Sequence, residues 1–178
     1  GNPLNFPIIQ GADICGVIVA VGSSVDNKRI GERVIVRTMQ TVPKNKNNFS
    51  AWTVGSECNG GFAQYASIRS SETFLINSNW TDADIASVPC AYSTAEGLLH
   101  RSQVKEEIVF ITGASGGVGS AAIQLAKLRG ATIIAQCSSE KKDEVKKIGT
   151  DQVVFRDSDL IKELGGNSVD VVIDLVAG

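Results

Sequence analysis

The sequence predicts an α/β fold in two consecutive parts: short β-strands joined by turns, then strands and helices in alternation around a parallel sheet. Three observations carry this. Up to residue 92 the apolar runs are short, rich in β-branched residues and separated by glycine turns, an all-β pattern. Beyond Gln103 strand-like and helix-like runs alternate, and parallel strands need such crossovers. Between the first of those strands and its helix stands Gly113-Ala114-Ser115-Gly116-Gly117-Val118-Gly119, a glycine-rich turn.

Taken in order, residues 14–21 (Ile-Cys-Gly-Val-Ile-Val-Ala-Val) read as a strand closed by Gly22-Ser23-Ser24. Gly31-Glu32-Arg33 is a turn and Val34-Ile35-Val36 a second strand. From Gln40 to Asn59 the composition is polar and irregular, with Lys44 and Lys46, so an exposed long loop or insertion is expected. Phe62 to Ile68 alternates well enough for a strand. Thr81 followed by Asp82 and Asp84 is a helix start. Pro89 is expected to break that helix, and Ala91 to His100 to form a second. The α/β part then gives strands at 107–112, 132–136, 152–155 and 169–175, and helices at 117–129 and 139–148. In the first of those helices Val118, Ala122, Leu125 and Leu128 suggest one apolar stripe, and Gly130 offers a left-handed stop.

Strand, glycine turn and helix together present unpaired backbone amides to an anion, and the helix N-terminus adds about half a positive charge. Glycine serves where a Cβ would hold a pyrophosphate away from the main chain. The spacing here is G-x-x-G-x-x-G, with Ala114 where the commoner G-x-G-x-x-G has its first glycine. With the strand at 132–136 the βαβ unit is complete, and the reading is a nucleotide site.

Composition excludes other classes. The 178 residues carry 17 Lys and Arg against 19 Asp and Glu, a net charge of −2, and no basic cluster is interleaved with aromatics; a nucleic-acid partner is therefore not expected. No apolar run has the length to span a membrane, and the first residues lack the order of a signal peptide. Four separated cysteines, at 15, 58, 90 and 137, suit free thiols in a reducing cytoplasm. The chain closes on a buried-strand pattern, Asp170 to Gly178, without a crossover helix, and opens in an extended apolar segment. Both ends are thus expected to be internal to a longer protein.

The ordered motifs resemble those of the medium-chain dehydrogenase/reductase superfamily, which includes zinc alcohol dehydrogenases and quinone oxidoreductases. They are Gln10-Gly11-Ala12-Asp13 with Gly16 and Val21-Gly22, Gly31-Glu32-Arg33-Val34, Gly60-Gly61-Phe62-Ala63-Gln64-Tyr65, and Pro89-Cys90 with Thr94-Ala95. The glycine turn is similar to the quinone-oxidoreductase form. The resemblance implies part of a GroES-like catalytic domain over residues 1–92 and, over 93–178, the first half of a Rossmann sheet with strand order 3-2-1-4. It also implies a small-molecule substrate, hydride transfer, and a homodimer for the complete protein.

The zinc branch has a His where this sequence has Ala12, beside Asp13, and a cysteine ligand at the position of Cys90; a methyl group cannot ligate, so no zinc is expected. His100, the only histidine, reads as a solvated helix end. An NAD site places a carboxylate at the end of the second strand, whereas here Cys137 leads to Ser138 and Ser139, with Lys141 and Lys142 following. NADP(H) is therefore expected, held by Gly113, Ala114, Ser115, Gly116, Gly117, Val118 and Gly119, with Ser138, Ser139, Lys141 and Lys142 at a 2′-phosphate. Thr94 matches a family position near the nicotinamide, or bonds its own helix backbone. No residue is assigned as catalytic. A zinc alcohol dehydrogenase and a non-catalytic NADPH-binding or structural protein are the alternatives.

Overall fold

The computed structural model describes residues 6–43 and 49–176. The chain divides into two units, one ending at Cys90 and the other beginning at Ala91.

In the first unit, β1 (Cys15–Val17), β2 (Arg33–Val36) and β5 (Thr73–Leu75) form an antiparallel sheet in the order β1-β2-β5. The strand expected over 14–21 is laddered only at its start: Val19 is exposed, and beyond Ile18 the chain leaves β2. The loop expected from Gln40 to Asn59 is instead largely a hairpin. In it β3 (Met39–Pro43) pairs antiparallel with β4 (Phe49–Thr53), Met39 opposite Thr53. A two-stranded ladder satisfies its own backbone, so a polar composition does not forbid it. Lys44 and Lys46 lie outside the described residues.

The strand expected over Phe62–Ile68 does not form. Gly61 and Phe62 donate to the carbonyls of Gly11 and Gln10, but Phe62 and Tyr65 are exposed. Residues 63–68 line one side of a cavity of about 700 Å³ whose other side is Ile14–Gly22. Alternation supplies a face; a strand also needs a backbone partner at about 4.8 Å, and the cavity stands in its place. Arg33 ties the unit together through Ser78 O (2.8 Å), Trp80 O (2.7 Å) and Asp82 Oδ1 (2.7 Å).

Helix α1 (Asp82–Ala86) begins where the sequence places it, with Thr81 and Asp84 forming a reciprocal capping box. Helix α2 (Val88–Arg101) starts three residues before the expected Ala91, because Pro89 falls in its first turn, where no N–H is required.

In the second unit β6 (Ile108–Ile111), β7 (Thr132–Cys137), β8 (Gln152–Phe155) and β9 (Val171–Ile173) form a parallel sheet in the order β8-β7-β6-β9. That is the expected 3-2-1-4. Helices α3 (Gly117–Leu128), α4 (Lys142–Ile148) and the short, unforeseen α5 (Leu160–Leu164) are the crossovers. Leu99, Ile111, Ile123 and Ile133 are fully buried between sheet and helices. Each contributes about 1.5–3 kcal/mol relative to exposure.

Of the expected stripe Ala122 is fully buried and Val118 and Leu125 pack partly buried against the core, but Leu128 is 84% exposed; Gly119, Ala121, Ile123 and Ala126 complete the buried face of α3. Small residues at those spacings bring the helix axis close to the sheet, which turns the larger leucine outward.

Candidate functional site

The glycine turn leaves the carboxyl end of β6 with Gly113 at φ +58° and closes on itself through Gly116 N–H to Gly113 O, 3.0 Å. Ala114 is fully buried, and its N–H donates to Gln136 O on β7 at 3.1 Å. The turn is thus pinned to the neighbouring strand at the residue that departs from the common fingerprint. Ser115, Gly116 and Gly117 are exposed. Gly116 is the N-cap of α3 and offers no side chain to its amides, so the N–H groups of Gly117, Val118 and Gly119 have no intrahelical acceptor. Uncapped amides at a helix start suit an anion.

Gly119 is buried against the turn: a Cβ there would stand 2.4 Å from Gly113 O and 2.7 Å from Ala114 Cα. Gly117 is not required by packing, since a Cβ there would meet only Ala91 Cβ at 3.7 Å. Ala91 therefore places the first turns of α2 beside the loop. Thr94, exposed, lies one turn further along the same face.

At the carboxyl end of β7, Ser138 and Ser139 open a short 3₁₀ turn and make no side-chain cap bond. Lys141 and Lys142 diverge. Lys141 Nζ is paired with Glu144 at 3.0 Å, while Lys142 Nζ lies 5.7 Å from the centre of the Phe155 ring on β8. Arg156 follows Phe155, which pairs with Cys137 in the sheet register. Burial pushes the Cys137 thiol up, and the Arg156 guanidinium opposes that shift. A cation of the third strand thus stands beside the tip of the second. The sequence reading missed Arg156 because it searched only the segment after the second strand; a basic residue one position past a neighbouring parallel strand was the available signal.

Residues carried over from the zinc branch fall elsewhere. Asp13 Oδ1 accepts from Cys90 N (2.8 Å) and Thr38 Oγ1 (3.2 Å), so the carboxylate holds the first turn of α2. Ala12 has no donor atom, and among the described residues no three His, Cys, Asp or Glu side chains gather into a metal-binding group. Of Ala12, Asp13 and Cys90 only the last two carry an atom that can ligate a metal, and the Asp13 carboxylate is engaged by Cys90 N–H and Thr38. His100 is exposed at the end of α2. The cavity of the first unit is lined by Arg29 and by Gln64, Tyr65, Ser67, Ser70 and Thr73 besides its aliphatic residues, and the Arg29 guanidinium is spent on Glu32, Ser70 and Thr73. Among the described residues no helix is long and apolar enough to cross a membrane.

Parallel strands in the order 3-2-1-4, an uncapped helix start after the first of them and hydroxyls and cations at the tips of the next two define a dinucleotide-binding α/β protein. The family models agree. Residues 1–78 match the alcohol dehydrogenase GroES-like domain and residues 117–178 the zinc-binding dehydrogenase family. The chain belongs to the medium-chain dehydrogenase/reductase superfamily.

Over 97% of its length it is 28% identical to acryloyl-coenzyme A reductase of Metallosphaera sedula, covering 54% of that protein. Over 96% it is 30% identical to the chloroplastic quinone-oxidoreductase QR1 of Triphysaria versicolor, covering 50%. A Sinorhizobium meliloti 1021 protein crystallised as a candidate alcohol dehydrogenase superposes over the whole chain with TM-score 0.89 and 41% identity, the chain covering 51% of it. The chain spans about half the length of the relatives it matches.

Proposed function

We propose that the complete protein is an oxidoreductase that transfers a hydride between NADP(H) and a small carbonyl, quinone or enone, without zinc. The observation that carries this is the uncapped start of α3 at Gly116, exposed at Ser115, Gly116 and Gly117, where the amides of Gly117, Val118 and Gly119 have no side-chain cap. The dinucleotide, when bound, supplies the hydride chemistry at its nicotinamide. The chain's own contribution is to hold it. The loop amides take the diphosphate, and Ser138, Ser139, Lys142 and Arg156 take a 2′-phosphate, with Lys141 free to join by leaving Glu144. No acidic residue among Gln136, Cys137, Ser138 and Ser139 occupies the place of the carboxylate that favours NAD. Thr94, on the face of α2 that starts at Ala91, is our candidate to meet the nicotinamide half.

The relatives named as a quinone oxidoreductase and an acryloyl-coenzyme A reductase support the substrate class, and Ala12 supports a reaction in which substrate oxygen is polarised by hydrogen bonds. We read residues 1–92 as the catalytic-domain part and 93–178 as the cofactor part, in a cytoplasmic protein that is homodimeric when complete. These 178 residues alone are expected to bind cofactor weakly and to turn nothing over.

The test is titration of the complete protein with NADPH and NADH, metal analysis, and a panel of quinones, enones and alcohols. NADPH bound at least tenfold more tightly than NADH, with turnover in a metal-free preparation, is the expected result. Stoichiometric zinc needed for activity supports a zinc alcohol dehydrogenase instead. Binding without turnover across the panel supports a non-catalytic protein.

A further inference from the structure

We propose that Thr112 and Asp174 are positioning residues for the dinucleotide: their bridge across the carboxyl ends of β6 and β9 fixes the first residue of the glycine turn. The inference rests on the dinucleotide reading above and names side chains that neither the glycine motif nor the relatives point to.

β7 and β8 lie on one side of β6 and β9 on the other, so the order of the sheet reverses between β6 and β9. In open α/β sheets ligands seat outside the carboxyl ends of the strands at such a reversal. The register pairs Ile111 with Ile173, which sets Thr112 opposite Asp174 one residue beyond the ladder. Thr112 N–H donates to Ile173 O at 3.0 Å. Its hydroxyl donates to Asp174 Oδ1 at 2.6 Å and accepts from Leu175 N–H at 2.8 Å. The same Oδ1 accepts from Val176 N–H at 3.1 Å.

The exit of β9 is thereby folded back over the end of β6, and it ends against the turn. Val176 Cγ2 lies 3.1 Å from where a Cβ on Gly113 would stand. Thr112 is bonded directly to Gly113, whose O receives Gly116 N–H, so a displacement of Thr112 passes into the loop. Asp174 is exposed and water could satisfy it, so the bridge is not demanded by burial. Its value lies in where it holds the chain.

The test uses the complete protein with Thr112→Val, which keeps shape and removes the hydroxyl, and Thr112→Ser, which restores it. NADPH dissociation constants, kcat at saturating NADPH and Tm are measured for each. Loss of a charge-assisted hydrogen bond predicts a rise in Kd of about tenfold or more for Thr112→Val, with kcat within about threefold of wild type. Thr112→Ser is expected within about twofold of wild type. A merely structural threonine lowers Tm and leaves Kd unchanged, which overturns the inference, as does a serine variant as impaired as the valine. Should Thr112→Val not fold, Asp174→Asn carries the test: a Kd raised severalfold at unchanged kcat supports the bridge, and a wild-type Kd overturns it. Wild-type protein that binds neither NADPH nor NADH overturns the dinucleotide reading itself, and this inference with it.

Discussion

Gly119→Ala separates packing from ligand approach at the glycine turn. The new Cβ would stand 2.4 Å from Gly113 O and 2.9 Å from Ala114 C, where ordinary contact begins at 3.4 Å. Turn and helix must therefore part by about 1 Å, and both sides of the clash are backbone, which cannot rotate away. Overpacking of this kind costs about 1–3 kcal/mol, and the rigidity of the neighbours places this case at the upper end. Alanine's helix preference returns up to about 1 kcal/mol. The net is a loss of about 2 kcal/mol, a fall in Tm of roughly 4–8 °C. Displaced donors weaken their hydrogen bonds to a charged diphosphate, which is expected to raise the Kd for NADPH by about tenfold. Gly117→Ala is the control, because its Cβ meets only Ala91 Cβ at an ordinary 3.7 Å, and its Tm is expected to stay within about 2 °C of wild type. The assay is thermal unfolding with NADPH titration on the complete protein. Wild-type Tm and affinity in Gly119→Ala would refute the packing argument.

Other substitutions test other parts of the structure. Arg156→Ala is expected to raise the Kd for NADPH by about tenfold while leaving NADH unchanged, since only the former carries the extra phosphate; equal losses for both would remove Arg156 from the site. Arg33→Ala removes the anchors to Ser78 O, Trp80 O and Asp82 and is expected to cost about 2 kcal/mol. Lysine should not rescue it, because an ammonium cannot span the fork, and recovery of Tm in Arg33→Lys would contradict this. Burial works to raise the Asp151 carboxyl, but hydrogen bonds from Lys127 and Ile133 N–H and the charge of Lys127 outweigh it and hold it below the usual carboxylate range. A folded pKa below the unfolded one gives stability that is present above about pH 3.9 and lost as pH falls through the folded value. Asp151→Asn should thus lower Tm at neutral pH, by on the order of 1 kcal/mol for a partly exposed pair, with the gap to wild type closing toward pH 2. A gap independent of pH would show that the carboxylate's charge is not involved.

Local patterns were legible in the sequence wherever one residue's chemistry decides the backbone. Thr81 with Asp84 fixes a helix start, Gly130 lets α3 stop, and the β-branched runs mark β6, β7 and β8. The glycine turn and its place between strand and helix were equally plain, because φ > 0 and close backbone approach admit few residues. Partnership was not legible. Phe62–Ile68 has the alternation of a strand and no ladder, while residues 39–43 and 49–53, which flank a polar asparagine- and lysine-rich stretch, pair fully. Leu128 completes an apolar stripe in the sequence and points outward in the structure, because Gly119 and Ala126 set how closely α3 meets the sheet.

The site divides in the same way. The sequence by itself determined a glycine turn between strand and helix at residues 113–119 and the lack of a carboxylate from Gln136 to Ser139, at the tip of the second strand. Only the tertiary structure decided that Arg156 stands beside that strand and that Thr112 bridges to Asp174, 62 residues away. The physical reason is that a parallel sheet assembles its binding edge from the ends of strands far apart in the chain, and register is a property of pairs.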